Sequence, residues 1–99
     1  MRRAIILPAA RRDLEDTLEH LIDVSDNFPT ARRFVSRLRQ KCHEIASLPG
    51  TLGVARPDLR PDVRSVVYGS YVIIFRYVGD RFEVVRVIEG HRDLPAQLR

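Results

Sequence analysis

The pattern of apolar and polar positions from Arg64 onward is typical of three β-strands. Runs rich in β-branched and aromatic residues cover 64–68 and 71–78 and begin again at 81. They are separated by Gly69-Ser70 and Gly79-Asp80. Each break places Gly at the first central position of a two-residue loop, as a type II′ hairpin turn requires. The pattern therefore predicts an antiparallel meander.

Tight turns also predict the register, because side chains alternate between the two faces of a sheet. The predicted cross-strand pairs are Val67 with Val72, Ile74 with Val85, and Arg76 with Glu83. One predicted face carries Tyr68, Tyr71, Ile73, Phe75, Tyr77, Phe82, Val84 and Ile88, and the other carries Val67, Val72, Ile74, Val85 and Val87. Both faces are apolar, so either a partner covers part of the second face or the protein wraps both.

Two amphipathic helices are predicted before the meander. Residues 3–7 form a short apolar run that ends at Pro8, which suits a first strand. Apolar residues then recur at helical spacing from Pro8 to about Ser25, and again from Ala31 through to Leu48. The turn between them offers Asn27 or Thr30 as the N-cap of the second helix. This arrangement predicts a helical hairpin lying on the sheet.

Two segments show no such periodicity. Residues 49–62 contain two glycines and three prolines, and we expect a long loop there without helix or strand. A loop of that length is a candidate contact surface. The tail, residues 95–99, is expected to fray.

Length and composition restrict the class of protein. The 99 residues predict one domain, 1–99, able to bury a core without disulfides, since Cys42 is the single cysteine. No run approaches the roughly twenty apolar residues of a membrane span, so we expect a soluble cytoplasmic protein. The formal net charge of +4 comes almost wholly from arginine. That balance allows nucleic acid or an acidic peptide as a partner, or reflects genome composition.

Candidate chemistry concentrates at the end of the last strand. Cys42 lies on an apolar helix stripe, which favours a buried structural thiol over a nucleophile. His20 lies near two aspartates, but no second histidine or cysteine has ligand spacing, which favours a solvated helix face over a metal site. The segment 89–93, Glu-Gly-His-Arg-Asp, combines titratable and basic groups. It predicts either acid-base or phosphate-binding chemistry, or a strand-end turn held by Arg92.

The order of elements, together with its motifs, resembles the RelE/ParE superfamily of toxins from type II toxin-antitoxin modules over nearly the whole chain. The residues that carry the resemblance are Pro8, Asp13-Leu14-Glu15-Asp16, Ala31-Arg32-Arg33-Phe34-Val35, Arg37-Leu38, Leu48-Pro49, Gly53, Arg64-Ser65, Gly69-Ser70-Tyr71-Val72-Ile73-Ile74-Phe75-Arg76, Val85-Arg86-Val87-Ile88 and Gly90-His91-Arg92-Asp93-Leu94. The implied fold is α+β: a helical hairpin packed on a small antiparallel sheet, in the order strand-helix-helix-strand-strand-strand.

The resemblance also separates two activities within the superfamily. RelE-like members cleave mRNA in the ribosome without a metal, using cations on the second strand, an arginine after the tyrosine that opens the third strand, an arginine after the last strand and a C-terminal tyrosine. Here the second strand offers Arg64, Tyr71 is followed by Val72, and no tyrosine follows Asp93. The sequence is therefore more similar to ParE, whose members poison DNA gyrase.

The ParE-like resemblance implies a toxin that inhibits gyrase and is neutralised by a cognate antitoxin, with no catalytic residues, metal or cofactor. We expect the target-binding residues to be Arg64, Arg76, Arg86, His91 and Arg92. We expect no membrane association, and no direct binding of nucleic acid outside the antitoxin complex. The alternatives are a ribosome-dependent endoribonuclease of the RelE type and a degenerate module that binds an antitoxin without being toxic.

Overall fold

The computed structural model describes residues 2–90 and 94–98, which form a five-stranded sheet with helices on both faces. The elements are β1 (Arg3–Ile6), α1 (Pro8–Ser25), α2 (Phe28–Ser47), β2 (Val54–Ala55), β3 (Arg64–Tyr68), β4 (Tyr71–Val78), β5 (Arg81–Glu89) and α3 (Leu94–Gln97). The strand order across the sheet is β1-β5-β4-β3-β2. The predicted α+β class and the predicted order of the main elements are confirmed.

The helical hairpin packs on one face of the sheet. Pro8 opens α1, and the side chain of Asn27 caps α2 by accepting a hydrogen bond from the Thr30 amide at 3.1 Å. The predicted apolar stripes face inward, where Leu14 and Leu38 are almost fully buried against the sheet. No helix within the described ranges combines the length and apolar character that crossing a bilayer requires.

The meander forms as predicted at both turns. Gly69 and Gly79 have φ values of 61° and 60°, a left-handed conformation that glycine adopts without steric cost. Val67 lies opposite Val72, and β4 and β5 are in the predicted register next to their turn. Local turn chemistry was therefore sufficient to predict this part of the sheet.

The register changes in the middle of β4 and β5, so the predicted pair of Ile74 with Val85 is wrong. A β-bulge lies at this point: Phe75 pairs with Val84, whereas Ile74 pairs with Arg86, which leaves Val85 as the extra residue. The bulge exchanges the faces of the next two side chains, so Val87 packs under the helices and Ile88 packs on the opposite face. Turn geometry fixes register only until an extra residue intervenes.

The sheet is mixed rather than purely antiparallel. β1 lies parallel to β5, with Arg3 opposite Arg81 and Ile6 opposite Val84. No tight turn joins these two strands, so the hairpin rule that sets the direction of the meander does not apply to them. The predicted structureless loop also contains β2, which pairs with the first two residues of β3.

The protein itself covers both apolar faces of the sheet. On the second face, Leu59 and Val63 pack from the loop before β3, and Leu94 and Leu98 pack from α3. The expectation that the tail frays is therefore wrong for residues 94–98. Burial of two leucines, 8% and 7% exposed, gives this short segment the apolar contacts that sequence polarity did not suggest.

Candidate functional site

The end of β5 lies beside a small cavity formed between α1 and the outer edge of the strand. Because β1 pairs with β5 only as far as Val84, the rest of that edge is left to α1. The cavity has a volume of about 60 Å³ and is lined by Asp13, Asp16, Thr17, His20, Tyr71, Arg86, Val87, Ile88, Glu89 and Gln97. The candidate segment 89–93 therefore begins at a wall of this cavity.

Asp13 joins α1 to the uncovered edge of β5. Its carboxylate accepts hydrogen bonds from Nε and Nη2 of Arg86 at 2.7 and 2.9 Å, and from the Val87 amide at 2.9 Å. The Nη1 group of Arg86 donates to the carbonyl of Gln97 in α3 at 2.6 Å. The hydrogen bonds to Asp13 raise the pKa of Arg86 above its ordinary value. This network holds three elements together: α1, β5 and α3.

Glu83 is the centre of a second group of charges. Its buried carboxylate accepts a hydrogen bond from Nε of Arg76 at 2.8 Å, which confirms the predicted cross-strand pair. The hydrogen bond to Glu83 raises the pKa of Arg76 above its ordinary value. Arg81 approaches the same carboxylate at 3.3 Å without hydrogen-bond geometry, and Asp62 lies 3.4 Å from Arg76. A buried carboxylate is thus balanced by two cations.

Arg64 holds the loop that precedes β2. Its Nε donates to the Leu52 carbonyl at 2.7 Å, and its Nη2 donates to the Gly53 carbonyl at 2.9 Å. Gly53 has φ +74°, and a Cβ at this position would lie 2.7 Å from the backbone oxygen of Ser65. The loop can therefore come this close to the sheet only with glycine at position 53.

The structure does not bring the predicted target-binding residues into one cluster. Arg64, Arg76 and Arg86 lie on three successive strands of the meander, and each is bonded to its own partners within the chain. His91 and Arg92 lie outside the described residues. Sequence reasoning missed the central role of Asp13, although this residue belongs to the 13–16 motif that carried the family resemblance.

The other candidate groups have structural surroundings. Cys42 is fully buried, and burial raises the pKa of its thiol to about 11, so it stays protonated at neutral pH and is no nucleophile. His20 is exposed at the rim of the cavity. Within residues 2–90 and 94–98 there is no group of three or more histidine, cysteine or acidic side chains that could hold a metal ion.

A helical hairpin on a sheet that contains an arginine-bearing meander is the architecture expected of the RelE/ParE superfamily. Residues 4–94 match the family model described as the ParE toxin of the type II toxin-antitoxin system, parDE. Over 78 residues the chain is 30% identical to Toxin ParE3 of Caulobacter vibrioides, and the match covers 77% of each protein. The chain therefore belongs to the ParE family of toxins of type II toxin-antitoxin systems.

A solved structure supports the same fold. A chain described as the chromosomal ParDE TA system from P. aeruginosa superposes with a TM-score of 0.76 and covers 90% of this chain and 96% of its own length. The two sequences are 20% identical, so the likeness concerns the fold. The resemblance to ParE-like toxins that the sequence indicated is confirmed.

Proposed function

We propose that this toxin acts on DNA gyrase and not on mRNA in the ribosome. The observation that carries the proposal is the environment of Val72, the residue that follows Tyr71 where RelE-like nucleases have an arginine. Val72 is 7% exposed and packs with Ile88 and Leu94 on the second face of the sheet. An apolar side chain buried at this position supplies no charge to a phosphate, so the strand lacks a group that the nuclease reaction needs.

The contacts of the strand arginines support the same assignment. Attack of a 2′-hydroxyl on phosphate requires a base near the hydroxyl and cations that stabilise the charge that develops. Arg64 is bound to two backbone carbonyls, and Arg86 is bound to Asp13 and to the Gln97 carbonyl. Using either arginine on a phosphate would break hydrogen bonds that hold the fold.

We keep Arg64, Arg76, Arg86, His91 and Arg92 as the proposed contact residues for the target. Among those within the described ranges, the side chain of Arg76 is 31% exposed and that of Arg86 is 22% exposed. Both therefore present part of a guanidinium to solvent while the rest is held by intramolecular bonds. An arginine fixed in this way loses little conformational freedom when it contacts a partner.

Paired assays test the choice of target. The purified toxin is expected to inhibit supercoiling by gyrase, or to trap its cleaved DNA complex, and to leave mRNA on programmed ribosomes intact. Arg92→Ala should abolish inhibition with an unchanged melting temperature, whereas Arg12→Ala, an exposed arginine on α1, should remain active. Codon-specific cuts in the ribosome assay would establish the nuclease instead.

We further propose that the antitoxin docks along the open edge of the sheet at β3. Within the described residues, β2 pairs with Arg64 and Ser65 only, so the outer edge of residues 66–68 has no strand beside it. Val54 and Val67 near this edge are 67% and 70% exposed. An extended antitoxin segment added here would gain backbone hydrogen bonds and cover these apolar side chains.

The antitoxin proposal is tested by co-purification with the neighbouring gene product. Val67→Lys should weaken the complex, because lysine at a sheet edge opposes strand addition. The matched control is Val24→Lys at the end of α1, a valine that is 66% exposed and distant in sequence from the edge. Equal affinity of all three proteins for the antitoxin would exclude this edge as the docking site.

A further inference from the structure

Charge is divided unequally between the two helices of the hairpin. α2 contains five arginines and lysines and one glutamate, so its net charge of +4 equals that of the whole chain. α1 contains five acidic residues and two arginines, a net charge of −3. The modest positive charge of the protein is therefore concentrated on one helix.

The cations of α2 have no carboxylate partners within the chain. Arg32, Arg33, Arg37 and Arg39 are exposed, and Lys41 is half-buried. The ion pairs found among residues 2–90 and 94–98 join arginines of the loop and the strands to acidic residues, and none includes α2. Arg33 makes one long hydrogen bond of 3.4 Å to the hydroxyl of Thr30. The outer face of α2 is thus a set of donors available to a partner.

The side chains between these cations also suit phosphate oxygens. An open groove of about 450 Å³ on this face is lined by Phe28, Pro29, Arg32, Arg33, Ser36, Arg37 and Gln40. Arginine, serine and glutamine are the types of side chain that commonly bind nucleic-acid phosphates. Apolar groups occur at the start of the groove, whereas a stable protein interface needs an apolar core. The composition therefore favours a nucleic-acid backbone over an acidic protein.

The length of the face agrees with this partner. From Arg32 to Lys41 the helix rises by about 14 Å at 1.5 Å per residue. One strand of a duplex presents a phosphate about every 3.4 Å along its axis, so this face extends past about four phosphates. Arg33 and Arg37 lie one helical turn apart, which places their guanidinium groups on the same side of α2.

We propose that the outer face of α2 binds the phosphate backbone of a nucleic-acid duplex. This departs from the expectation that the toxin contacts nucleic acid only within the antitoxin complex. It goes beyond the proposed action on gyrase and does not depend on it, because the surface is defined by α2 and not by the strand arginines. Binding is expected to be independent of sequence, since the face offers contacts to phosphates.

The test is the salt dependence of binding, measured by fluorescence anisotropy with a short labelled DNA duplex and the purified toxin. Between about 50 and 200 mM salt, the double variant Arg33→Gln with Arg37→Gln should lose about two from the slope of log K against log salt. At about 0.1 M salt its affinity should fall by on the order of tenfold or more. An RNA duplex of the same sequence, titrated in parallel, shows which nucleic acid is preferred.

The control removes the same amount of charge elsewhere. Arg3 and Arg12 are both exposed, so Arg3→Gln with Arg12→Gln should change the affinity by about twofold at most. Unchanged melting temperatures exclude unfolding as the cause. Equal losses in the two double variants would overturn the proposal, and so would an α2-dependent affinity for poly-glutamate with none for either duplex. Neither gyrase nor a ribosome is present, so the result is separate from the choice of target.

Discussion

The arginines of the sheet and the arginines of α2 differ in what the fold does with them. Arg76 and Arg86 are bonded to carboxylates that are largely buried, whereas Arg33 and Arg37 point from a helix into solvent without an ion pair among the described residues. A guanidinium that holds a buried carboxylate contributes to stability, and one in water contributes little. The same residue type therefore serves stability in one region and recognition in the other.

The largest effect is expected at the pair between α1 and β5. Arg86→Ala leaves the Asp13 carboxylate, 12% exposed, without its cation and removes the bond to α3. The free energy of unfolding should fall by about 2–3 kcal/mol, which lowers the melting temperature by roughly 10–20 °C. Thermal melting of Arg86→Ala against Arg12→Ala measures this. A loss below about 1 kcal/mol would show that the pair does not stabilise the fold.

The next effect concerns the bonds from Arg64 to the loop. Arg64→Ala removes two hydrogen bonds to the carbonyls of Leu52 and Gly53, and should lower the free energy of unfolding by about 1–2 kcal/mol. Because the loop loses its attachment, its amide hydrogens should exchange faster with solvent than those of the helices. Denaturant unfolding and hydrogen exchange measure the two changes. Unaltered exchange at residues 49–55 would contradict this role of Arg64.

A smaller effect is expected at Glu83, because two arginines share its carboxylate. Arg76→Ala should cost about 1 kcal/mol or less, since Arg81 remains beside the buried oxygen atoms. Replacing Arg76 and Arg81 together leaves the carboxylate without a cation, so the combined loss should exceed the sum of the single losses. A double-mutant cycle measured by urea unfolding tests this coupling. Strict additivity would mean that the two arginines act independently.

The smallest effect is expected on α2. Arg33→Gln and Arg37→Gln should each change the free energy of unfolding by less than about 0.5 kcal/mol, because neither side chain contacts a buried group. The same melting experiments provide the values. A loss of the size expected at Arg86 would remove the distinction between the two sets of arginines.

The sequence predicted most of the fold where neighbouring residues decide the structure. Helical spacing, Pro8 and Asn27 set the limits of the hairpin, and two glycines set the turns of the meander. The Arg76 and Glu83 pair followed as well, since a tight turn places residues seven apart opposite each other. The bulge at Val85 could not be predicted, because both faces of β5 are apolar and the pattern does not reveal an extra residue.

Part of the candidate site followed from the sequence in the same way. The strand end at Glu89 was identified from its composition, but the cavity beside it depends on α1, whose position on β5 no local pattern specifies. Asp13 and Arg86 are 73 residues apart, and their contact exists only because α1 covers the edge that β1 leaves open. Spacing rules describe neighbours within a helix or a hairpin and give no information at this separation.

The sequence by itself determined the family, the helices and the turns of the meander, because these depend on residue type and on periods of a few residues. The tertiary structure decided the parallel direction of β1, the bulge, the burial of α3 and the partner of each arginine. These features depend on which surfaces remain uncovered after the hairpin has packed. The separation between arginines that hold the fold and those that face solvent belongs to this second group.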